Sequence, residues 1–147
     1  MTQRFQGLHQ NSQTASEELA DGLYLVRVER AQYRWHRLKP FYVIRFLVLE
    51  PQKSAMQLIT GRLDCAAKSL WKLGWFLGDF AYDADLLKRD EVNEKAMLGL
   101  CGVVKVRHLP GNDRGLFHFE GFAPADQWPG LASRAFASRV LSREATQ

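Results

Sequence analysis

The segment Ala66-Ala67-Lys68-Ser69-Leu70-Trp71-Lys72-Leu73-Gly74-Trp75-Phe76-Leu77-Gly78-Asp79-Phe80 decides the fold, because the hydrophobic period changes there. Leu70, Leu73, Leu77 and Phe80 recur at spacings of three and four, the repeat of a helix that buries one stripe. Trp71 and Trp75 lie four apart on a neighbouring stripe beside Lys68 and Lys72, where packing of helix against sheet is the expected role of both indoles, ahead of base stacking.

The sequence on either side of this helix has the period of two. Leu23 to Ala31 predicts a first strand, with Tyr24, Val26 and Val28 on one face and Arg27 and Glu29 on the other. Phe41 to Glu50 predicts a central second strand that ends at Pro51; it is apolar at nearly every position except Arg45, a cation that must either pair with an acid or face an anion. Met56 to Cys65 predicts a third strand, with a bulge or sharp bend at Gly61. After the helix, residues 81–96 hold a short helix or turn. Leu98 to His108 and Gly115 to Phe122 form two strands joined through the turn-forming run Pro110-Gly111-Asn112-Asp113-Arg114-Gly115. Three strands, a helix and a two-stranded hairpin is the order of an OB-fold: an all-β, five-stranded Greek-key barrel whose one main helix lies between strands three and four. An SH3-like barrel or a small α+β sandwich would not place a helix of this length there.

OB barrels bind oligonucleotides on strands two and three and with the loops that join strands one to two and four to five. The first of these connections is Tyr33-Arg34-Trp35-His36-Arg37-Leu38-Lys39-Pro40-Phe41-Tyr42, expected as a loop, in which aromatic rings alternate with fixed cations. Rings offer faces to unpaired bases, and Lys and Arg neutralise phosphates. The competing reading folds the rings onto the core and leaves the charges solvated. The expected nucleic-acid contacts are stacking by Tyr33, Trp35 and Phe41 or Tyr42, with phosphates held by Arg34, Arg37, Lys39, Arg45, Arg62, Lys105 and Arg107. Lys105 and Arg107 share the face of their strand opposite Val104 and Val106 and make a second cationic ridge.

Charge distribution agrees. The chain of 147 residues carries +4 overall, but residues 22–79 hold ten Lys or Arg against four acids, whereas residues 1–21 are net acidic. A basic body favours an anionic partner. The chain is predicted to comprise a mobile arm over residues 1–20, one domain over 21–125, and a flexible or frayed-helical tail over 126–147. No apolar run is long enough to span a bilayer and no signal peptide is evident, so a cytoplasmic protein without membrane contact is expected. Cys65 and Cys101 sit in apolar segments and are expected as buried free thiols. His9, His36, His108 and His118 lack metal-ligand spacing, Asp83 and Asp85 complete no calcium loop, and no nucleophile or P-loop motif is present. No metal, no cofactor and no catalytic residue are therefore assigned.

Leu19-Ala20-Asp21-Gly22-Leu23-Tyr24, Phe41-Tyr42-Val43-Ile44-Arg45-Phe46, Leu98-Gly99-Leu100-Cys101-Gly102-Val103-Val104-Lys105-Val106 and Gly121-Phe122-Ala123-Pro124 together resemble the phage and prophage proteins grouped as domain of unknown function 669. The resemblance spans residues 19–125 and implies a small OB-type accessory protein of a replication or recombination module. It brings no catalytic residue. Bacterial single-stranded DNA-binding proteins resemble the core in outline but end in an acidic tail with a terminal aromatic. This chain ends Leu141-Ser142-Arg143-Glu144-Ala145-Thr146-Gln147, so partner recruitment through such a tail is not expected. The resulting expectation is a non-enzymatic binder of single-stranded nucleic acid, DNA before RNA, in a phage-like or mobile-element module. Replication or recombination proteins are further partners, and self-association is left open. The alternative is an OB-like protein-interaction adaptor that binds no nucleic acid.

Overall fold

The computed structural model describes residues 19–37, 39–89, 91–109 and 116–134. Five strands form a closed barrel: β1 (Gly22–His36), β2 (Lys39–Glu50), β3 (Leu58–Asp64), β4 (Cys101–His108) and β5 (Leu116–Pro124), in the spatial order β1-β2-β3-β5-β4. Helix α1 (Leu70–Asp79) follows β3, and two short helices, α2 (Ala84–Lys88) and α3 (Glu94–Met97), lead into β4. This is the OB-fold-like barrel expected from the order of elements, with its main helix between β3 and β4.

Alternation builds the interior. Tyr24, Val26 and Val28 of β1, Tyr42, Ile44, Phe46 and Val48 of β2, and Ile59 and Leu63 of β3 all point inward and are buried. One end of the barrel is plugged by α1, whose Leu73, Phe76, Leu77 and Phe80 are buried. Phe46 meets Phe76, Phe80 and Phe119 with ring centroids 6.0, 5.6 and 5.2 Å away, and Phe76 meets Phe122 at 5.3 Å. Leu70, expected in the buried stripe, is exposed at the first position of α1; Phe76 takes its place because it packs against Phe46 and Phe122, with Leu73, Leu77 and Phe80 also toward the barrel.

Closure depends on close backbone approach. β3 and β5 are parallel and, among the described residues, pair at Thr60–Leu116 and Gly61–Phe117. A Cβ at Gly61 would stand 2.6 Å from the Phe117 carbonyl oxygen and 2.6 Å from the Phe119 ring. Gly61 pairs with Ile44 without a register shift, so the expected bulge is absent and the glycine serves the seam with β5. Gly102 does the same for α1, since a Cβ there would meet the Phe80 ring at 2.4 Å.

Segment 81–97 buttresses one end of the barrel. The Tyr82 hydroxyl donates to the Glu91 carbonyl (3.1 Å) and accepts from the Asn93 N–H (3.1 Å). Asp83 caps α2, accepting from the Asp85 and Leu86 N–H groups, and Asn93 caps α3. Leu19 is buried, and the Tyr24 hydroxyl donates to the Ala20 carbonyl at 2.6 Å, so these two residues pack with the barrel. After β5 a 3-10 turn over Ala125–Gln127 continues as helix over 128–134. The rest of the predicted tail, most of the N-terminal arm and the turn 110–115 lie outside the described residues. Cys65 and Cys101 are free thiols, but half-buried rather than buried.

At the start of β1, Asp21 accepts from the His108 N–H at 2.8 Å and lies 2.6 Å from its ring Nδ1, joining β1 to the end of β4. These contacts, the backbone N–H first, lower the Asp21 pKa from its ordinary value of 3.8. The native state therefore binds the proton less tightly than the unfolded chain, and the Asp21 contribution is complete above about 3.8 and fades as pH falls through the lowered value. Stability curves of the wild type and Asp21→Asn should lie apart near neutral pH and converge in acid. A gap unchanged with pH would contradict the ionic contribution. In urea unfolding, Gly61→Ala should lower stability by about 1–3 kcal/mol or more through overpacking. Gly74→Ala, on the open face of α1 with nothing within 4 Å of the new Cβ, should raise it by about 0.5–1 kcal/mol.

Candidate nucleic-acid interface

The aromatic and basic stretch is not a loop. β1 continues through Tyr33, Arg34, Trp35 and His36, which pair with Tyr42, Phe41, Pro40 and Lys39 of β2, so the expected connection is a long two-stranded hairpin. Arg37 sits at its tip with a positive φ of 49°. A register shift between Val28 and Arg30 sets the faces. One extra residue there moves Ala31, Tyr33 and Trp35 onto the side that carries Val28 and Tyr42, and sends Arg34 and His36 to the outside.

The rings sort accordingly. Tyr42 is 6% exposed, and burial pushes its pKa up to about 12. Its hydroxyl donates to the Val92 carbonyl at 3.4 Å. It belongs to the core, which corrects its expected role as a stacking platform. Tyr33 packs edge-on against Tyr42 at 5.1 Å and keeps 47% of its surface exposed, and Trp35 lies 6.4 Å from Tyr33 and is 60% exposed. The Tyr33 N–H donates to the Glu94 carboxylate, which ties the hairpin to α3. Trp35 thus stands at the exposed end of a ring series, Tyr42 to Tyr33 to Trp35, that starts in the core.

The opposite face of the hairpin runs onto the outer surface of β2 and β3. Phe41 lies between Arg34 and Asp64, and Val43 between Gln32 and Arg62. The Arg62 guanidinium lies 4.2 Å from the centre of the Phe41 ring. Arg45 pairs with Glu29 at 2.9 Å, which closes the choice left open for that cation. Arg62 pairs with Asp64 at 3.0 Å. On the β4–β5 ridge Glu120 holds Arg107 at 2.7 Å and Lys105 at 3.8 Å. Arg34 donates to Gln32 at 2.8 Å, and among the described residues no ion pair engages Arg27, Arg30, Arg34, Arg37 or Lys39. Five cations without carboxylate partners among the described residues therefore lie on β1 and at the hairpin.

Two features escaped the periodicity. Trp71 is 64% exposed and stacked on Trp75, with centroids 6.0 Å apart and planes at 21°, instead of packing helix against sheet. Trp75 alone reaches the barrel, edge-on to Phe122 at 5.7 Å. Beside Trp71 a groove of about 350 Å³ opens between β3, the start of α1 and β5. A larger hollow of about 560 Å³ lies at the far end of the β1–β2 ladder, lined by Leu19, Gly22, Pro51, Lys53 and Gln57, away from the hairpin. Among the described residues no group of three or more His, Cys, Asp or Glu side chains could hold a metal ion, and no helix is long and apolar enough to cross a membrane.

Fold and surface together define an OB-fold-like barrel protein with an aromatic and cationic hairpin. No protein-family model matches the chain, and no curated protein is found with a similar sequence.

Truncation separates core rings from surface rings. Trp35→Ala should leave unfolding free energy within about 0.5 kcal/mol of wild type, whereas Tyr42→Ala should cost about 3–5 kcal/mol. Urea unfolding of both variants reads the difference directly.

Proposed function

We propose that the protein is a non-enzymatic binder of single-stranded nucleic acid, DNA first, and that the β1–β2 hairpin with the outer face of β2 and β3 is its contact surface. The observation that carries this reading is the exposed Trp35 and Tyr33 on the same hairpin as Arg34, Arg37 and Lys39, cations that no carboxylate engages among the described residues. Rings anchored through Tyr42 stack on bases with little ordering cost, and the neighbouring charges displace counterions from phosphates. Phe41, capped by Arg62, extends the surface onto the sheet. The proposal extends to a replication or recombination module of a phage-like element, in the cytoplasm, on the ground of the sequence motifs in residues 19–125 alone.

A second reading, a protein-binding adaptor, is favoured by one observation: Arg45, Arg62 and Arg107 each engage a carboxylate, which lowers the positive potential of the face. Exposed aromatics are also the usual anchors of protein interfaces.

Fluorescence anisotropy with a labelled oligothymidylate of about 15 nucleotides tests the first reading. Affinity should fall steeply between about 50 and 200 mM salt, and Trp35→Ala should weaken binding by about 1–3 kcal/mol. Lys39→Ala should reduce the slope of log K against log salt by about 0.7, the single-strand value for one phosphate contact. Salt-insensitive or absent binding would overturn the reading. Capture of a defined protein from nuclease-treated lysate, without an oligonucleotide shift, would establish the adaptor.

A further inference from the structure

Beyond the short seam at Thr60–Leu116 and Gly61–Phe117, β3 and β5 leave an opening at the first turn of α1. Leu63 and Phe117 line the groove there, with Trp71 and Lys72 contributed by the helix and Arg62 and His118 by the strands. Trp71 is held from behind: it stacks on Trp75, Trp75 meets Phe122 edge-on, and Phe122 is part of the core. The indole is thereby oriented before any ligand arrives, and its 64% exposure leaves ring surface open to solvent. An aromatic fixed in this way loses little conformational freedom on stacking.

The polar groups beside it suit an anion. No ion pair engages Lys72 among the described residues, and burial lowers its pKa. His118 is likewise lowered, by burial first and then by Lys72 and Arg107, so near neutral pH it is an uncharged N–H donor in a positive setting. Asp64 and Glu120, the acids nearby, are committed to Arg62 and to Arg107 with Lys105. Arg62 also lies over Phe41, so the groove is continuous with the outer face of β2 and β3.

We infer that the groove is a nucleotide subsite, in which a base stacks on Trp71 and its phosphate lies against Lys72 and His118. This rests on the proposed function and extends it: a single strand that passes from Trp35 on one face of the hairpin around its edge to Phe41 and Arg62 on the other would reach the start of α1. Both a ring face and an unpaired cation are needed for this ligand, and a purely apolar partner would leave Lys72 desolvated without compensation.

The test uses the full chain and a labelled oligothymidylate of about 15 nucleotides at low salt. Trp71→Ala should weaken binding about tenfold, Trp71→Phe clearly less, and Lys72→Ala should both weaken binding and flatten its salt dependence. Because Trp35 and Trp71 share no contact, the double Ala variant should show losses that multiply. Trp71 is exposed, so an unchanged thermal midpoint checks that the fold is intact, and Lys72→Ala probes the same groove independently. Wild-type affinity in both Trp71→Ala and Lys72→Ala, with Trp35→Ala weakened, would overturn the subsite and leave the proposed function standing. Absence of oligonucleotide binding by the wild type at about 50 mM salt would overturn both. Loss of a protein partner from Trp71→Ala, with oligonucleotide affinity kept, would overturn the subsite and assign the groove to that partner.

Discussion

The approach of β5 to β3 at Gly61 governs the rest of the molecule. With hydrogen there in place of a side chain, the Phe117 carbonyl and the Phe119 ring occupy the space a Cβ would need, and two parallel pairings join the sheet edges. An open five-stranded sheet would expose two edges and leave Phe46, Phe76, Phe80, Phe119 and Phe122 without a shared interior. Closure converts these rings into one plug, and Gly102 lets Phe80 enter it from α1. The end of the seam at Gly61–Phe117 also shapes the surface. Where β3 and β5 stop pairing, the start of α1 lies beside the groove that holds Trp71 and Lys72.

Strand length does the remaining positioning. β1 and β2 have 15 and 12 residues, against 7 in β3, so their paired ends outrun the barrel and stand as a hairpin. A hairpin in isolation is marginally stable, and this one is fixed at its base by the Tyr33–Tyr42 ring contact and by Glu94 of α3. Trp35 and the tip cations are thus presented on a paired backbone, which lowers the ordering cost of binding compared with a free loop.

The strands and the helix were legible because each buries one face and so carries its period in the sequence. Tyr24, Val26 and Val28 show the period of two, and Leu73, Leu77 and Phe80 the helical one. What was not legible depends on breaks in period and on distant contacts. Continuing the alternation of Val26 and Val28 would have turned Arg30, Gln32 and Arg34 inward; the shift between Val28 and Arg30 reverses that, and no residue there announces a bulge. Gly61 looked like a bend within its own strand, but the atoms that require it belong to β5, 56 and 58 residues later. Helix α1 carries two overlapping apolar stripes, one through Leu70 and one through Phe76, and only packing against Phe46 and Phe122 selects the second. That selection is also what turns Trp71 outward.

Charge on the outer face follows from the same register. Arg45 and Glu29 meet across the β1–β2 ladder beside the shift, and Arg62 meets Asp64 two residues along β3. These pairs are 36–49% exposed, where an ion pair contributes about 0–1 kcal/mol, so their arginines can exchange a carboxylate for a phosphate at small cost. The acids remain after such an exchange and repel the incoming strand. Under the proposed function the centre of the sheet would contribute little affinity, and the cations at its margins that no ion pair engages among the described residues, Arg34, Arg37 and Lys39 at the hairpin and Lys72 at the groove, would provide the stronger attraction. A strand held at both margins in this way would lie across Phe41 and Val43 between them, which are less costly to cover than charged groups. In the proposed binding mode the division of labour is physical: the margins would attract phosphate, the fixed indoles Trp35 and Trp71 would receive bases, and the neutralised middle of the sheet would permit passage without a sequence-specific contact.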